Sequence, residues 1–277
     1  MSEPSPDAPL GEMTFWEHLQ ELRVRLIRCL LILGIAFAVT YSFPFGLQGQ
    51  VGFLRDVPPL RFTLWRWVQQ PFLEALARQT GQAVASLHPW AFTDLSEPFF
   101  SLMRLSLWAA AFLSVPFLFY QFWAFLRPGL HARERRLVVP FVGLTSVMFL
   151  LGALFAYFQA FKVLGDILFG EAQAAGLRAN LHIDSYLDLF LYTLLLTGIA
   201  FELPVLVFFL ARFRLITARW LLRFWRHAML LIVFVSAFLT PGDMVVTTAF
   251  FSVILLGLYC ASVLVAWLAA PKPAGKV

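Results

Sequence analysis

Residues 189–210 read LFLYTLLLTGIAFELPVLVFFL, an apolar run interrupted by one charge, Glu202, and one proline, Pro204. About 20 apolar residues, rising about 1.5 Å each, cross roughly 30 Å of hydrocarbon, so the run is long enough to span a bilayer as a helix. A carboxylate at that depth is costly unless it is protonated, paired or wetted. Two readings of Glu202 therefore stand side by side. It is a functional acid inside the membrane, or it serves backbone groups freed where Pro204 bends the helix.

Working outward, the same pattern recurs along the chain. Apolar stretches at about Val24–Phe43, Phe99–Tyr120, Leu137–Phe161, Ser185–Leu210, Ala228–Thr240 and Val245–Leu268 predict six transmembrane helices. The fifth is short for an upright crossing, so it needs a thinned bilayer or sheltering neighbours. The fold class expected is all-α integral membrane, with residues 1–277 forming one polytopic domain. Composition agrees: 60% of residues are hydrophobic and 13% charged, well below the share of charge in a soluble domain. No cleavable leader is evident, because no Lys or Arg occurs in the first 22 residues and no small-residue cleavage site follows the first apolar run.

The net charge of +5 does not form one nucleic-acid patch. Basic residues cluster in alternate links instead: Arg23, Arg25 and Arg28; Arg127, Arg133, Arg135 and Arg136; Arg212, Arg214, Arg219, Arg223 and Arg226; then Lys272 and Lys276. These links hold most of the 21 basic residues, so the positive-inside rule places both termini in the cytoplasm. The outer loop, residues 44–98, carries Pro58, Pro59, Pro71 and Pro89 and a helical-looking stretch at Leu64–Gln79, which predicts a folded cap. Arg104, near the outer end of the second span, is expected to snorkel or to pair with Glu97. Cys29 and Cys260 lie in apolar runs and read as small buried hydrophobes.

The segment Met13–Leu26 puts Phe15, Leu19, Leu22 and Leu26 on one helical stripe, and Glu17, His18, Glu21 and Arg25 on another. From spacing alone it is an amphipathic helix lying on the bilayer surface before the chain turns in, with Glu21–Arg25 a favourable i,i+4 pair. Glu134 is the one carboxylate between the second and third spans. It balances local charge among its arginines, or it accepts an incoming guanidinium, which a carboxylate binds bidentately. Thr240-Pro-Gly-Asp243 fits a β-turn, with Asp243 placed to cap the sixth helix. The phosphate-loop, zinc-protease and serine-hydrolase signatures are absent from the sequence, so no catalytic residue, metal or other cofactor is expected.

Six short motifs, in order, resemble the TatC family of twin-arginine translocase receptors. They are HLQELRVRL (18–26), SEPFF (96–100), YQFWAF (120–125), RERRLVVP (133–140), FELP (201–204) and TPGD (240–243). The resemblance implies a signal-peptide receptor in the inner membrane that, with TatA- and TatB-like single-span partners, exports folded cargo using the proton-motive force. It implies that Glu21, Arg23, Phe125 and Glu134 bind the twin-arginine signal peptide. It also implies that Glu202 faces a concave intramembrane surface around which the helices bow. Thr240, Asp243 and Thr247 fall where the family docks its partner helices, so a homo- or hetero-oligomer in the lipid bilayer is expected. No nucleic acid is expected. Two departures stand out: residues 46–67 are long and rich in Trp and Arg, and Pro-Gly replaces a frequent Pro-Pro before Asp243. Two rivals remain at this stage. One is a proton-coupled small-solute secondary transporter with Glu202 as its coupling site; the other is a haem-bearing membrane anchor, though the five His lie at or outside span ends.

Overall fold

The computed structural model describes residues 15–43, 58–86, 89–127, 138–176, 181–213, 215–239 and 245–269. Ten α-helices run through these residues: α1 (Phe15–Ser42), α2 (Leu60–Thr80), α3 (Glu97–Leu126), α4 (Val138–Phe155), α5 (Phe161–Ala174), α6 (Ile183–Ala200), α7 (Leu203–Arg212), α8 (Ala218–Arg223), α9 (Trp225–Leu239) and α10 (Val245–Ala269). A single π-helical segment, Ala156–Ala160, joins α4 to α5. Two two-residue strands, β1 (Trp90–Ala91) and β2 (Leu181–His182), pair in parallel.

Among the described residues four stretches are long and apolar enough to cross a membrane: Glu97–Phe125, Val139–Ala174, Ile183–Arg212 and Thr248–Ala269. A shorter apolar helix lies at Trp225–Ala237. The helices are apolar on nearly every side, as expected where the solvent is hydrocarbon. Leu31 and Ile35 on α1, Leu230 and Phe234 on α9, and Trp267 and Leu268 on α10 stay exposed. Several hydroxyls within this apolar frame find backbone acceptors, as lipid favours. Ser146 and Ser262 donate to carbonyls four residues back, and Thr40 donates to the Ser106 carbonyl at 2.8 Å, tying α1 to α3. Cys29 is half-buried and Cys260 exposed, so the second is not the buried hydrophobe its neighbours suggested.

The N-terminal segment also departs from expectation. Phe15–Ser42 is one continuous helix of 28 residues, roughly 42 Å long, rather than a surface helix followed by a turn. No proline lies within it, and its first glycine is Gly34, so nothing in the sequence breaks the hydrogen-bond ladder there. The charged first turns therefore continue straight out of the apolar part and run beside the C-terminal end of α3.

At the opposite end of the bundle the chain builds a packed cap. Helix α2 contains Pro71 and ends at Gly81, whose φ of 68° is the left-handed stop that glycine adopts without strain. Its buried face joins Phe72, Leu73 and Leu76 to Phe161, Phe169, Tyr186 and Phe190. Tyr186 donates its hydroxyl to the Val68 carbonyl at 2.5 Å, and Gly165 lets α5 approach Ala75 so closely that an added Cβ would sit 2.8 Å from it.

Arg104 does not pair with Glu97. Its guanidinium binds Asp188 at 2.8 Å and Asp184 at 2.7 Å, both on α6, while Ser101 also donates to Asp184. The physical reason is geometric. Glu97 is engaged in starting α3, accepting the Thr93 amide at 2.7 Å, whereas two α6 carboxylates one turn apart face Arg104.

Candidate functional site

The sequence singles out three places, and the described residues bring one of them together. Where α1 begins, it lies against the end of α3. The His18 ring stacks on Phe125 with centroids 4.3 Å apart and planes 21° from parallel. One turn further along, Glu21 accepts hydrogen bonds from Arg25, as the i,i+4 spacing predicted. Arg25 also reaches across to α3, where its guanidinium donates to the Gln121 side-chain oxygen at 3.4 Å. Glu21 and Phe125 thus share one cluster with His18, Arg25 and Gln121, while Arg23 is exposed on α1 beside it.

This cluster is unevenly satisfied. Both bonds from Arg25 fall on the same Glu21 oxygen, Oε1, whereas Oε2 is buried and has no hydrogen-bond partner among the described residues. A buried acceptor left unmatched costs about 1–3 kcal/mol, so the carboxylate retains unused capacity for a donor. An open cleft of about 410 Å³ runs along this face, lined by Glu17, Gln20, Glu21, Val24, Arg25 and Arg28. Its walls are charged, but of mixed sign. A guanidinium approaching it gains from directional bonds to carboxylate oxygen rather than from a net negative field. Glu134 lies outside the described residues.

The second place is the break in the fourth apolar run. Helix α6 ends at Ala200, residues 201–202 form a turn, and α7 restarts with Pro204 in its first turn. Glu202 occupies the residue before α7 without capping it through its side chain, and its Oε1 is buried and unpartnered among the described residues. Directly before the break, α4 and α6 touch through glycines. A Cβ on Gly152 would lie 2.9 Å from the Gly198 Cα and from Phe201. Small residues allow membrane helices this approach, and here they set the position of the turn that carries Glu202.

The third place is incomplete. Thr240 and Asp243 lie outside the described residues; Thr247 is in the first turn of α10, and its side chain lies outside the description. Beside it, α9 and α10 enclose an open apolar groove of about 650 Å³, with Met229, Ile232, Val245, Thr248, Ser252 and Leu256 among its lining.

Two groups of participants escaped the sequence reading. Gln121 stood within YQFWAF without a role, and only its distance from Arg25 supplies one. Asp184 and Asp188 are spaced one helical turn apart on α6, the signal that identifies them as a joint partner for Arg104.

Residues 17–253 match the family model described as Sec-independent protein translocase protein (TatC). The Sec-independent protein translocase protein TatC of Koribacter versatilis is 33% identical over 264 residues, spanning 95% of this chain and 88% of its own length. Its counterpart in Desulforapulum autotrophicum is 32% identical over 250 residues, spanning 90% and 83%. A crystal structure of a twin arginine translocase receptor, TatC, in DDM matches with a TM-score of 0.70 at 26% identity, covering 90% of this chain and 98% of the other.

Proposed function

The chain belongs to the TatC family of multi-pass membrane proteins, which are translocase subunits and not enzymes, and from that premise we propose that it is the signal-peptide receptor of a twin-arginine translocase. All six apolar stretches cross the membrane in this reading. The end of the bundle holding the α1–α3 cluster faces the cytoplasm, in line with the positive-inside pattern of the sequence. The helices bow around a concave face that carries Glu202.

The observation that carries the reading is Glu21, held against α3 with one carboxylate oxygen still unmatched. Recognition joins Glu21 to Glu134, each accepting one guanidinium of the consecutive arginines in the signal peptide. The planar fork of arginine meets a carboxylate bidentately; lysine offers only a point charge, so the pair discriminates by geometry. Phe125, stacked on His18, supplies an apolar wall beside the carboxylates, and Arg23, exposed on α1, contributes to the same recognition surface. At the far end of α9 and α10, Thr240, Asp243 and Thr247 mark where TatA- and TatB-like single-span helices dock, and the apolar groove between those helices suits such a partner. Transport of folded cargo draws on the proton-motive force. Glu202 is the intramembrane acid of the assembly.

Export in cells tests this directly. A strain lacking its own receptor subunit would receive this chain with its single-span partners and a folded fluorescent reporter behind a twin-arginine signal. The reading requires the reporter to reach the periplasm with Arg-Arg and to stay inside with Lys-Lys. Export that ignores the arginine pair, or none at all with all partners present, rejects it.

A further inference from the structure

We propose that the link between α7 and α9 is a binding site for anionic phospholipid headgroups, with Arg219, Arg223 and Arg226 as its phosphate-binding side chains. The inference rests on the chain being a membrane protein and does not depend on signal-peptide recognition.

The arrangement begins with how α8 is held. Thr217 caps it by accepting the Trp220 amide at 3.2 Å. On its inner side Leu221 is buried against Ala211 of α7 and Ala266 and Ala269 of α10, and the Tyr259 hydroxyl donates to the Leu221 carbonyl at 2.7 Å. At 100° per residue, Arg219 and Arg223 stand one turn apart on the face opposite Leu221, directed away from the bundle. The short helix is therefore a docked ridge with two guanidinium groups along its crest, and Arg226 follows at the start of α9.

Apolar surface flanks that ridge. Trp220 and Phe224 pack ring on ring at 4.9 Å, Leu222 is 56% exposed, and the Arg226 guanidinium lies 5.8 Å from the Trp225 ring centre. Neither bulk water nor hydrocarbon suits this combination. Water leaves two tryptophans, a phenylalanine and a leucine exposed, and hydrocarbon strands three cations. The headgroup layer accommodates both, since tryptophan and arginine concentrate there.

Charge then selects the kind of headgroup. Among the described residues none of the three arginines has an ion-pair partner, and the sequence from Leu203 to Gly242 contains no Asp or Glu. A zwitterionic lipid brings its own cation and cancels much of the attraction, whereas an anionic one offers phosphate oxygens to three guanidinium forks. Each basic side chain near an anionic surface contributes about fivefold in affinity.

Native mass spectrometry of the detergent-purified full chain tests the site, titrating phosphatidylglycerol against phosphatidylcholine. Wild type should favour phosphatidylglycerol about tenfold or more. The triple variant R219Q/R223Q/R226Q should lose that preference, while R66Q, at an exposed position on α2 at the opposite end, should keep it. Glycerol phosphate at equal concentration should not displace the lipid. Equal binding of the two lipids, preference retained in the triple variant, or displacement by glycerol phosphate would each overturn the proposal, the last by revealing a site for free phosphate. Should the triple variant melt early, R219Q/R223Q is read in its place, with at least half the loss in log affinity expected.

Discussion

Gly152→Ala examines the contact on which the placement of Glu202 depends. An added Cβ would lie 2.9 Å from the Gly198 Cα and from the Phe201 Cβ and Cγ. Carbon pairs settle at about 3.5–4.0 Å, so α4 and α6 must part by at least roughly 0.6 Å. One of the obstructing atoms is backbone, which no rotamer change can move aside. Neighbouring packing offers little slack either: a Cβ on Gly198 would press on the Phe149 ring at 2.9 Å, and that ring is itself set between Phe112 and Phe119. Overpacking of this kind costs about 1–3 kcal/mol, against which alanine's better helix propensity returns up to about 1 kcal/mol. The expected net loss is about 1–2 kcal/mol. Gly143→Ala supplies the control, since nothing lies within 4 Å of its added Cβ. Unfolding of both variants in detergent, followed by circular dichroism or a thiol-reactive dye, should show Gly152→Ala destabilised and Gly143→Ala neutral or slightly more stable. A Gly152→Ala protein as stable as wild type, or a Gly143→Ala protein equally weakened, would refute the argument.

Three further expectations follow from other parts of the molecule. Arg104→Gln leaves Asp184 and Asp188 facing each other without their cation, and because the pairs are partly exposed the cost should be about 1 kcal/mol; an unfolding midpoint restored by adding Asp188→Asn would confirm the cause, and an unmoved midpoint in Arg104→Gln would deny it. Phe72→Ala removes a ring at the centre of the cap, against Trp90, Phe169 and Tyr186, at about 3–5 kcal/mol. Limited proteolysis should then cut between α2 and β1 far sooner than in wild type, and unchanged resistance would show that the cap does not depend on this cluster. Phe125→Ala should weaken twin-arginine peptide binding severalfold, on the about 0.5–1.5 kcal/mol scale of an aromatic pair, with little change in melting temperature; a large stability loss instead would make the His18 stack a structural element.

Much of this architecture is legible in the sequence because the bilayer imposes a length rule. Helix occupies each long apolar run, and Pro204 foretells the interruption at residues 201–202. What the sequence withholds is which helices touch. Apolar residues surround each span, so no stripe points to a neighbour, and Gly152 finds Gly198 only in three dimensions. Arg104 illustrates the same limit: Glu97 was near in sequence, but Asp184 and Asp188 are near in space. The π-helical turn at Ala156–Ala160 has no proline or glycine to announce it. In the candidate site the Glu21–Arg25 pair followed from spacing, whereas the contributions of His18 and Gln121 required the antiparallel contact of α1 with α3.

Binding of a twin-arginine signal peptide to the purified chain tests the central claim most directly. Arg-Arg and Lys-Lys peptides would be titrated against wild type, Glu134→Ala and Glu21→Gln, with unfolding midpoints checked in parallel. Loss of a hydrogen bond to a charged group costs about 1.5–3 kcal/mol, or roughly ten- to a hundredfold in affinity. The account predicts a loss of that size for the Lys-Lys peptide on wild type, and for the Arg-Arg peptide on each folded variant. Equal affinity for both peptides, or Arg-Arg binding indifferent to both carboxylates, would contradict it.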